Sequence, residues 1–420
     1  MSASAAHIPG FCICTLGCKV NRAESEHITQ ELLARGFLSV APEQADVAIL
    51  NTCTVTGEAD AKTRKAARKL AGSCTGSIIV TGCAAATDAA ALSALDERIV
   101  CVADKRAVVA SVCELAGWQD GSPIAAVSRA EAQLRTRADV KIQDGCDNAC
   151  SYCIVHTARG PARSLPARDV VSAVEQLARE GTAEVVLVGI NLGAYASDGL
   201  DLAGLLRRLL AETGIPRLRI SSLEPADVTD ELLAVIAGAH GRICRHLHIC
   251  LQSGSDAVLA AMNRPYTAGE FASIVERARS LMPRCAFSTD AIVGFPGETD
   301  ADFAATCELI EHCGIMRTHV FRFSPRPGTP AAARTEQVAS HVKAQRAGEL
   351  RTLATRLAAA DAQARIDTCE DVVVESGQRA TSESYHSVVF DTPQTPGSLI
   401  STRFAGYDAA QGALIAAIGS

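Results

Sequence analysis

A chain of 420 residues with 48% apolar side chains is too long for one ordinary core and apolar enough to bury several, so two to four domains are expected. Its net charge of −7 excludes an indiscriminate nucleic-acid coat, although a local basic surface such as Lys62-Thr-Arg-Lys-Ala-Ala-Arg-Lys69 can coexist with an acidic total. No apolar run nears the ~20 residues of a bilayer crossing, and Met1-Ser-Ala-Ser-Ala-Ala-His7 shows no basic region followed by an apolar core of the kind expected of a signal peptide. The expected setting is therefore soluble, cytoplasmic and reducing, with the 17 cysteines as thiols.

Residues 1–128 alternate short apolar runs with helical segments, and Phe11–Thr15, Val47–Leu50, Ser77–Thr81 and Ile99–Val102 read as strands. That rhythm predicts an α/β domain with a doubly wound parallel sheet, in which ligands gather beyond the carboxyl ends of the strands. Cys18, Cys53 and Cys83 follow the first three strands in turn. Any one of them fits as a small residue in a tight turn. Three at equivalent positions, beside Asn21, Asn51 and Thr52, suggest thiolates converging on an iron–sulfur cluster with one iron left open. Cys12, Cys14, Cys74, Cys101, Cys113, Cys244, Cys285, Cys307, Cys313 and Cys369 lack such placement and read as small core residues.

The polar stretch Ser128–Arg137 reads as a linker. Over 138–335 a second series follows, with strands near Val140–Gln143, Glu184–Gly189, Leu218–Ser222, His246–Leu251, Phe287–Val293 and His319–Phe323, which predicts a partial or complete parallel β/α barrel. The loop after its first strand holds Cys146, Cys150 and Cys153, spaced CxxxCxxC. Three close thiolates fit a 4Fe–4S cube whose fourth iron can bind a substrate; a zinc site, with His156 as fourth ligand, is the rival. Asn191, Ser222, Glu224, Gln252, Ser253, Ser255, Asp290 and Gly294 lie at or near the ends of the other strands and are the candidate lining for a polar, extended ligand across the barrel mouth. Within Gly294-Phe-Pro-Gly-Glu298 the glycines would let backbone approach that ligand.

A helical connector is expected over 336–366, and 367–420 reads as a small all-β barrel with strands at Val372–Glu375, His386–Phe390, Ser398–Thr402 and Ala413–Ala416. Small barrels of this kind bind nucleic acid or serve as structural caps.

The motif Gly145-Cys-Asp-Asn-Ala-Cys-Ser-Tyr-Cys153 resembles that of radical S-adenosylmethionine (radical SAM) enzymes. Cys18, Cys53 and Cys83 resemble the second-cluster ligands of the methylthiotransferases within that group, and the terminal barrel is similar to a TRAM domain. Thr15-Leu-Gly-Cys-Lys-Val-Asn21, Ile220-Ser-Ser-Leu-Glu-Pro225, Leu251-Gln-Ser-Gly-Ser-Asp256 and Phe323-Ser-Pro-Arg-Pro-Gly-Thr329 look most like the MtaB branch. Cys250 in place of a proline, His156 and Thr157 in place of a Pro-Tyr pair, and Pro265 within Asn263-Arg-Pro-Tyr266 depart from the family pattern.

The resemblance implies two 4Fe–4S clusters, on Cys146, Cys150 and Cys153 and on Cys18, Cys53 and Cys83, with S-adenosyl-L-methionine bound near Asn191, Ser222, Glu224, Gln252, Ser253, Asp290 and Gly294. It implies cofactor cleavage to a deoxyadenosyl radical and methylthiolation of carbon 2 of N6-threonylcarbamoyladenosine at position 37 of tRNA. A reductant such as flavodoxin or ferredoxin would supply the electron. Lys62, Arg64, Lys65, Arg68, Lys69, Arg159 and Arg163 are candidate phosphate contacts. The alternatives are methylthiolation of isopentenyl-adenosine in tRNA or of a ribosomal-protein aspartate, or a two-cluster electron-transfer or RNA-binding protein without radical chemistry.

Overall fold

The computed structural model describes residues 7–118 and 136–417, so the expected linker lies outside the described residues through position 135. The chain divides into two units: Met1–Leu134 with Cys153–Pro161, and Arg135–Tyr152 with Ala162–Ser420.

In the first unit, strands β1 (Gly10–Thr15), β2 (Leu38–Ser39), β3 (Val47–Thr52), β4 (Ser77–Gly82) and β5 (Ile99–Val102) form one parallel sheet in the order β2-β1-β3-β4-β5. Central β3 is buried along its whole length, as a strand covered on both faces must be. Val47 and Ile49 point to one face, where they meet Ile28 and Leu32 of α1 (Lys19–Ala34) and Val108 and Val112 of α5 (Val108–Leu115). Ala48 and Leu50 point to the other, against Ala67 and Leu70 of α2 (Gly57–Ser73). The short helices α3 (Cys83–Thr87), α4 (Ala89–Ser93) and α6 (Val155–Arg159) complete the unit. Helices on both faces make this the doubly wound sheet that the βα rhythm predicts.

In the second unit, β6 (Arg137–Lys141), β9 (Glu184–Val188) and β10 (Arg217–Ile220) pair in parallel. The short β11 (Ser222–Leu223) continues to β12 (His246–Ile249), β13 (Ala286–Val293) and β14 (Arg317–Arg322). A two-residue pair, β7 (Gln143–Asp144) with β8 (Arg163–Ser164), brackets the cysteine loop. All six predicted parallel strands are present, forming a partial β/α barrel. Val185, Leu187, Leu218, Leu247, Ile249 and Phe287 pack outward into one core shared by α7 (Ala167–Arg179), α8 (Leu202–Glu212), α9 (Asp230–Gly238), α11 (Ala268–Leu281) and α12 (Asp300–His312), while α10 (Asp256–Ala261) follows the fourth strand.

Inside the barrel several of the alternate residues, Glu184, Arg217, Arg219, His246, His248 and Ser288, are buried and polar, contrary to the apolar filling of many such barrels. At its amino-terminal end, the buried Glu184 meets Arg217 at 2.6 Å and Arg219 at 2.9 Å, with Arg137 at 3.7 Å. Burial raises the Glu184 pKa, but the two buried guanidiniums outweigh it and hold the carboxyl down to about 2.

One long helix, α13 (Ser340–Ala364), connects to the last five strands: β15 (Cys369–Ser376), β16 (Arg379–Ser382), β17 (Ser387–Val389), β18 (Leu399–Asp408) and β19 (Ala413–Ala416). These close in the order β15-β16-β17-β19-β18. β16 was not expected, because Arg-Ala-Thr-Ser carries no apolar alternation strong enough to mark a strand. This barrel is docked on the amino-terminal end of the larger one: Arg217 donates to Asp371 O and Thr381 O, and Arg219 to Ser382 O and Glu383 O. The Tyr385 ring lies under Arg219 and Arg317, 4.7 and 4.8 Å from their guanidinium carbons, with the His246 ring at 4.9 Å. Cys369, expected in a core, is exposed: it opens β15 on the outer face of the small barrel. No helix among the described residues is long and apolar enough to cross a membrane.

Candidate functional sites

Cys18, Cys53 and Cys83 all fall at the carboxyl edge of the first unit's sheet: Cys18 caps α1, Cys53 follows β3 and Cys83 opens α3 directly after β4. Two glycines make room for them. Gly17, at φ +104°, passes so close to Cys53 that a Cβ would sit 2.6 Å from the Cys53 Cβ. Gly82, at φ +93°, would put a Cβ 2.4 Å from Thr52 O. Both positions combine a left-handed backbone with no room for a side chain, which glycine alone tolerates.

A buried polar frame holds these turns. Asn21 donates to Leu16 O at 2.9 Å and Thr52 O at 2.7 Å, Asn51 donates to Asn21 O and Ser25 Oγ, and Thr52 Oγ1 donates to Thr81 O. Arg159, also buried, donates to Asn21 Oδ1 at 2.6 Å and Glu24 Oε1 at 2.9 Å, and Glu24 pairs in addition with Lys105. Burial pushes the Cys53 and Cys83 thiols up. The Arg159 guanidinium, which hydrogen-bonds Cys83, opposes that rise, and the charges of the neighbouring cysteines add to it. This donor set fits an iron–sulfur cube: three thiols stand at the ends of one sheet beside a fixed cation able to balance thiolates.

Arg159 is therefore not the surface phosphate contact expected of it, since its donors are taken inside the protein. Lys62, Lys65, Arg68 and Lys69 are exposed on α2, with Arg64 half-buried, and Arg163 is exposed beside Asp144 at 2.8 Å. Glu24 was missed from sequence, and Arg159 was given a different role; the polar trio Asn21, Glu24 and Ser25 on the buried stripe of α1 was the available signal.

In the second unit, Cys146 and Cys150 sit in the loop after β7, and Cys153 opens the segment grouped with the first unit. The backbone N–H of Asn148 points to Cys146 Sγ, and that of Val155 to Cys153 Sγ, both at 3.4 Å. Arg264 donates to Cys150 Sγ at 3.1 Å and pairs with Glu224, so a fixed cation faces Cys150 too. Gln143 closes the floor of the loop: its Nε2 donates to Gly145 O, and its Oε1 accepts from Ile190 N and Asn191 N.

The candidate mouth residues divide. Asn191, Glu224, Gln252 and Asp290 stand at the strand ends. The buried Asn191 Oδ1 has no hydrogen-bond partner, while Gln252 bonds through its backbone to β13. Half-buried Ser222 pairs with His248 in the sheet. Ser253 is drawn into helix packing at Thr306, and Ser255 caps α10 and donates to Asp302. The Gly294 N–H is taken at 3.0 Å by Glu298, itself paired with Arg346 at 2.6 Å, so this loop satisfies its own backbone rather than a ligand's oxygens. Cys250 is buried beside Cys150, Asp227 and Asp290; burial first and those charges next push its thiol well up, leaving it a neutral wall residue. His156 is exposed on α6.

A Gly17→Ala variant is expected to force the Cys18 turn away from Cys53 and to lower iron content after anaerobic reconstitution to about half. Full iron loading would show that the turn does not set the site.

Residues 140–310 match the Radical SAM superfamily, and residues 10–104 an uncharacterized protein family, UPF0004. The chain is 39% identical to the threonylcarbamoyladenosine tRNA methylthiotransferase MtaB of Thermotoga maritima, over 76% of this chain and 75% of that one. It is 36% identical to MtaB of Bacillus subtilis over 96% and 95%, and 34% identical to the tRNA-2-methylthio-N(6)-dimethylallyladenosine synthase of Opitutus terrae over 93% of each. Among solved structures, the radical S-adenosylmethionine methyltransferase TsrM of Kitasatospora setae shares the fold, with a TM-score of 0.56 at 14% identity over 78% of this chain and 77% of that one. With S-adenosylmethionine and 4Fe–4S clusters as its cofactors, the chain belongs to the radical SAM tRNA methylthiotransferase family, on its MtaB branch.

Proposed function

We propose that the chain methylthiolates carbon 2 of N6-threonylcarbamoyladenosine at position 37 of tRNA, in the cytoplasm, with Cys146, Cys150 and Cys153 holding one cluster and Cys18, Cys53 and Cys83 the other. The observation that carries this reading is the second thiol set at the edge of the first unit's sheet, since a chain that only cleaved S-adenosylmethionine would not need it. The substrate base is supported by the names of the MtaB relatives. When bound, the clusters and S-adenosylmethionine supply one-electron bond cleavage and a sulfur to transfer, chemistry that no side chain offers at a C–H bond of a base.

The chain's own residues supply position and charge. Glu224 fixes Arg264 against Cys150, and Glu24 with Asn21 fixes Arg159 beside Cys83, so Cys150 and Cys83 each face a cation that cannot swing away. Asn191, Glu224 and Gln252 are the residues that would meet S-adenosylmethionine, with the unpartnered Asn191 Oδ1 placed to accept from it. An external one-electron donor of the flavodoxin or ferredoxin kind is required.

The deciding measurement is mass spectrometry of tRNA nucleosides from cells lacking the gene. Loss of the 2-methylthio form of threonylcarbamoyladenosine is expected; its persistence, with loss of the dimethylallyl counterpart, would transfer the assignment to the activity named for the Opitutus relative. For the RNA contact, changing Lys62, Lys65, Arg68 and Lys69 to alanine is expected to weaken tRNA binding and to flatten the slope of log affinity against log salt by up to about 3. An unchanged slope would remove α2 from the interface.

A further inference from the structure

We propose that His248, Asp290 and His319 form a site for one divalent transition-metal ion on the inner wall of the larger barrel, separate from both cysteine sets. The three residues stand on adjacent strands β12, β13 and β14, and Asp290 and His319 are direct partners in the parallel register. One ligand atom from each lies within 4.8 Å of the other two, and His248 Nε2 is already 3.4 Å from Asp290 Oδ1. Ligands about 2.0–2.2 Å from a common ion stand about 3–3.5 Å apart. One pair thus has the required spacing, and the others reach it by rotation of the exposed His319.

The second observation is the state of His248. Its ring is buried, and Ser288 Oγ occupies Nδ1 at 2.9 Å, an oxygen that His246 Nε2 meets at the same distance. Nε2 is left buried without a hydrogen-bond partner. A histidine that gives one ring nitrogen to a neighbouring oxygen and turns the other, bare, toward a carboxylate and a second imidazole has the arrangement that orients a metal ligand. The His248 and His319 rings are 5.7 Å apart and inclined at 52°, so they are not stacked.

Two imidazoles and one carboxylate favour Zn(II), Fe(II) or Co(II) over Mg(II) or Ca(II), and three protein ligands leave coordination positions open. The site lies one pleat below Cys250, two residues along from His248 just past the end of β12, and so belongs to the floor of the barrel mouth. Asp290 then serves an ion rather than the adenosyl cofactor.

The test uses the full chain with both cysteine sets reconstituted anaerobically, stripped of adventitious metal by brief chelation and dialysed against limiting zinc. We expect one zinc per chain beyond the cluster iron, with a zinc-edge X-ray absorption spectrum showing only nitrogen and oxygen in the first shell and imidazole scattering behind it. Each of His248→Ala, Asp290→Asn and His319→Ala is expected to weaken zinc binding at least about 10- to 100-fold, as loss of even an outer partner does, with iron content and circular dichroism unchanged. Absence of the extra zinc, a sulfur-containing shell, or full zinc binding in these variants overturns the proposal. So does loss of S-adenosylmethionine binding in the variants without loss of zinc, which would give the trio to the cofactor. The wild-type spectrum stands as a test even if a variant fails to fold.

Discussion

A Cys53→Ala chain is expected to go on cleaving S-adenosylmethionine to deoxyadenosine within about twofold of the unmodified rate, while the yield of methylthio nucleoside falls at least about a hundredfold. Cys53 is buried at the end of β3, and alanine fills most of its volume without a polar atom, so the sheet should form unchanged. What is lost is one of three thiols, and the two that remain cannot hold a cube. Iron content should fall by about half, as measured on the reconstituted protein. Cys74 supplies the control, since its thiol meets Ala45 O away from the carboxyl edge, and Cys74→Ala should leave iron and product untouched. Methylthio product from the Cys53→Ala chain would remove Cys53 from the ligand set.

The second large effect is on stability. Replacing Glu184 by glutamine leaves Arg217 and Arg219 buried without their counter-charge, and breaking a buried pair in this way is expected to destabilise the second unit by about 3–5 kcal/mol. The pH dependence follows from the carboxyl held down to about 2. A folded-state value below that of the unfolded chain stabilises the fold above about pH 4.5 and ceases to do so as pH falls toward 2, a contribution of about 3 kcal/mol. Urea unfolding of the unmodified chain should shift to lower denaturant across that window, and the Glu184→Gln chain should show a flatter response. Equal midpoints at pH 7 would show that the arginines find other partners.

Much of this arrangement was legible in the residues themselves. The strands at Val47, Ser77, Glu184 and Phe287 announce themselves because buried parallel strands are apolar runs too short for helices. The placement of Cys18, Cys53 and Cys83 at one edge of the sheet followed from their position after strands. What escaped was contact over long separations: Arg159 meets Glu24 across 135 residues, and Arg264 meets Cys150 across 114. Arginine looks alike on a surface and beside a thiolate until the chain is folded. The Gly294–Glu298 loop misled for a related reason, since a carboxylate four residues on claims the N–H that glycine exposes. Arg217-Leu-Arg-Ile220 did carry a signal, because alternating charge within a parallel strand points to a polar interior.

That interior is closed below by Tyr385 and its ring of arginines. The larger barrel is thus closed at its base by the chain's own last domain, whose backbone carbonyls meet the inward-facing Arg217 and Arg219. At that end the chain's own last domain, rather than solvent, faces whatever occupies the barrel. Shortening the chain before Asp367 would unstopper the base, and the expected sign is a leak: cofactor consumed without product, long before the larger barrel itself gives way.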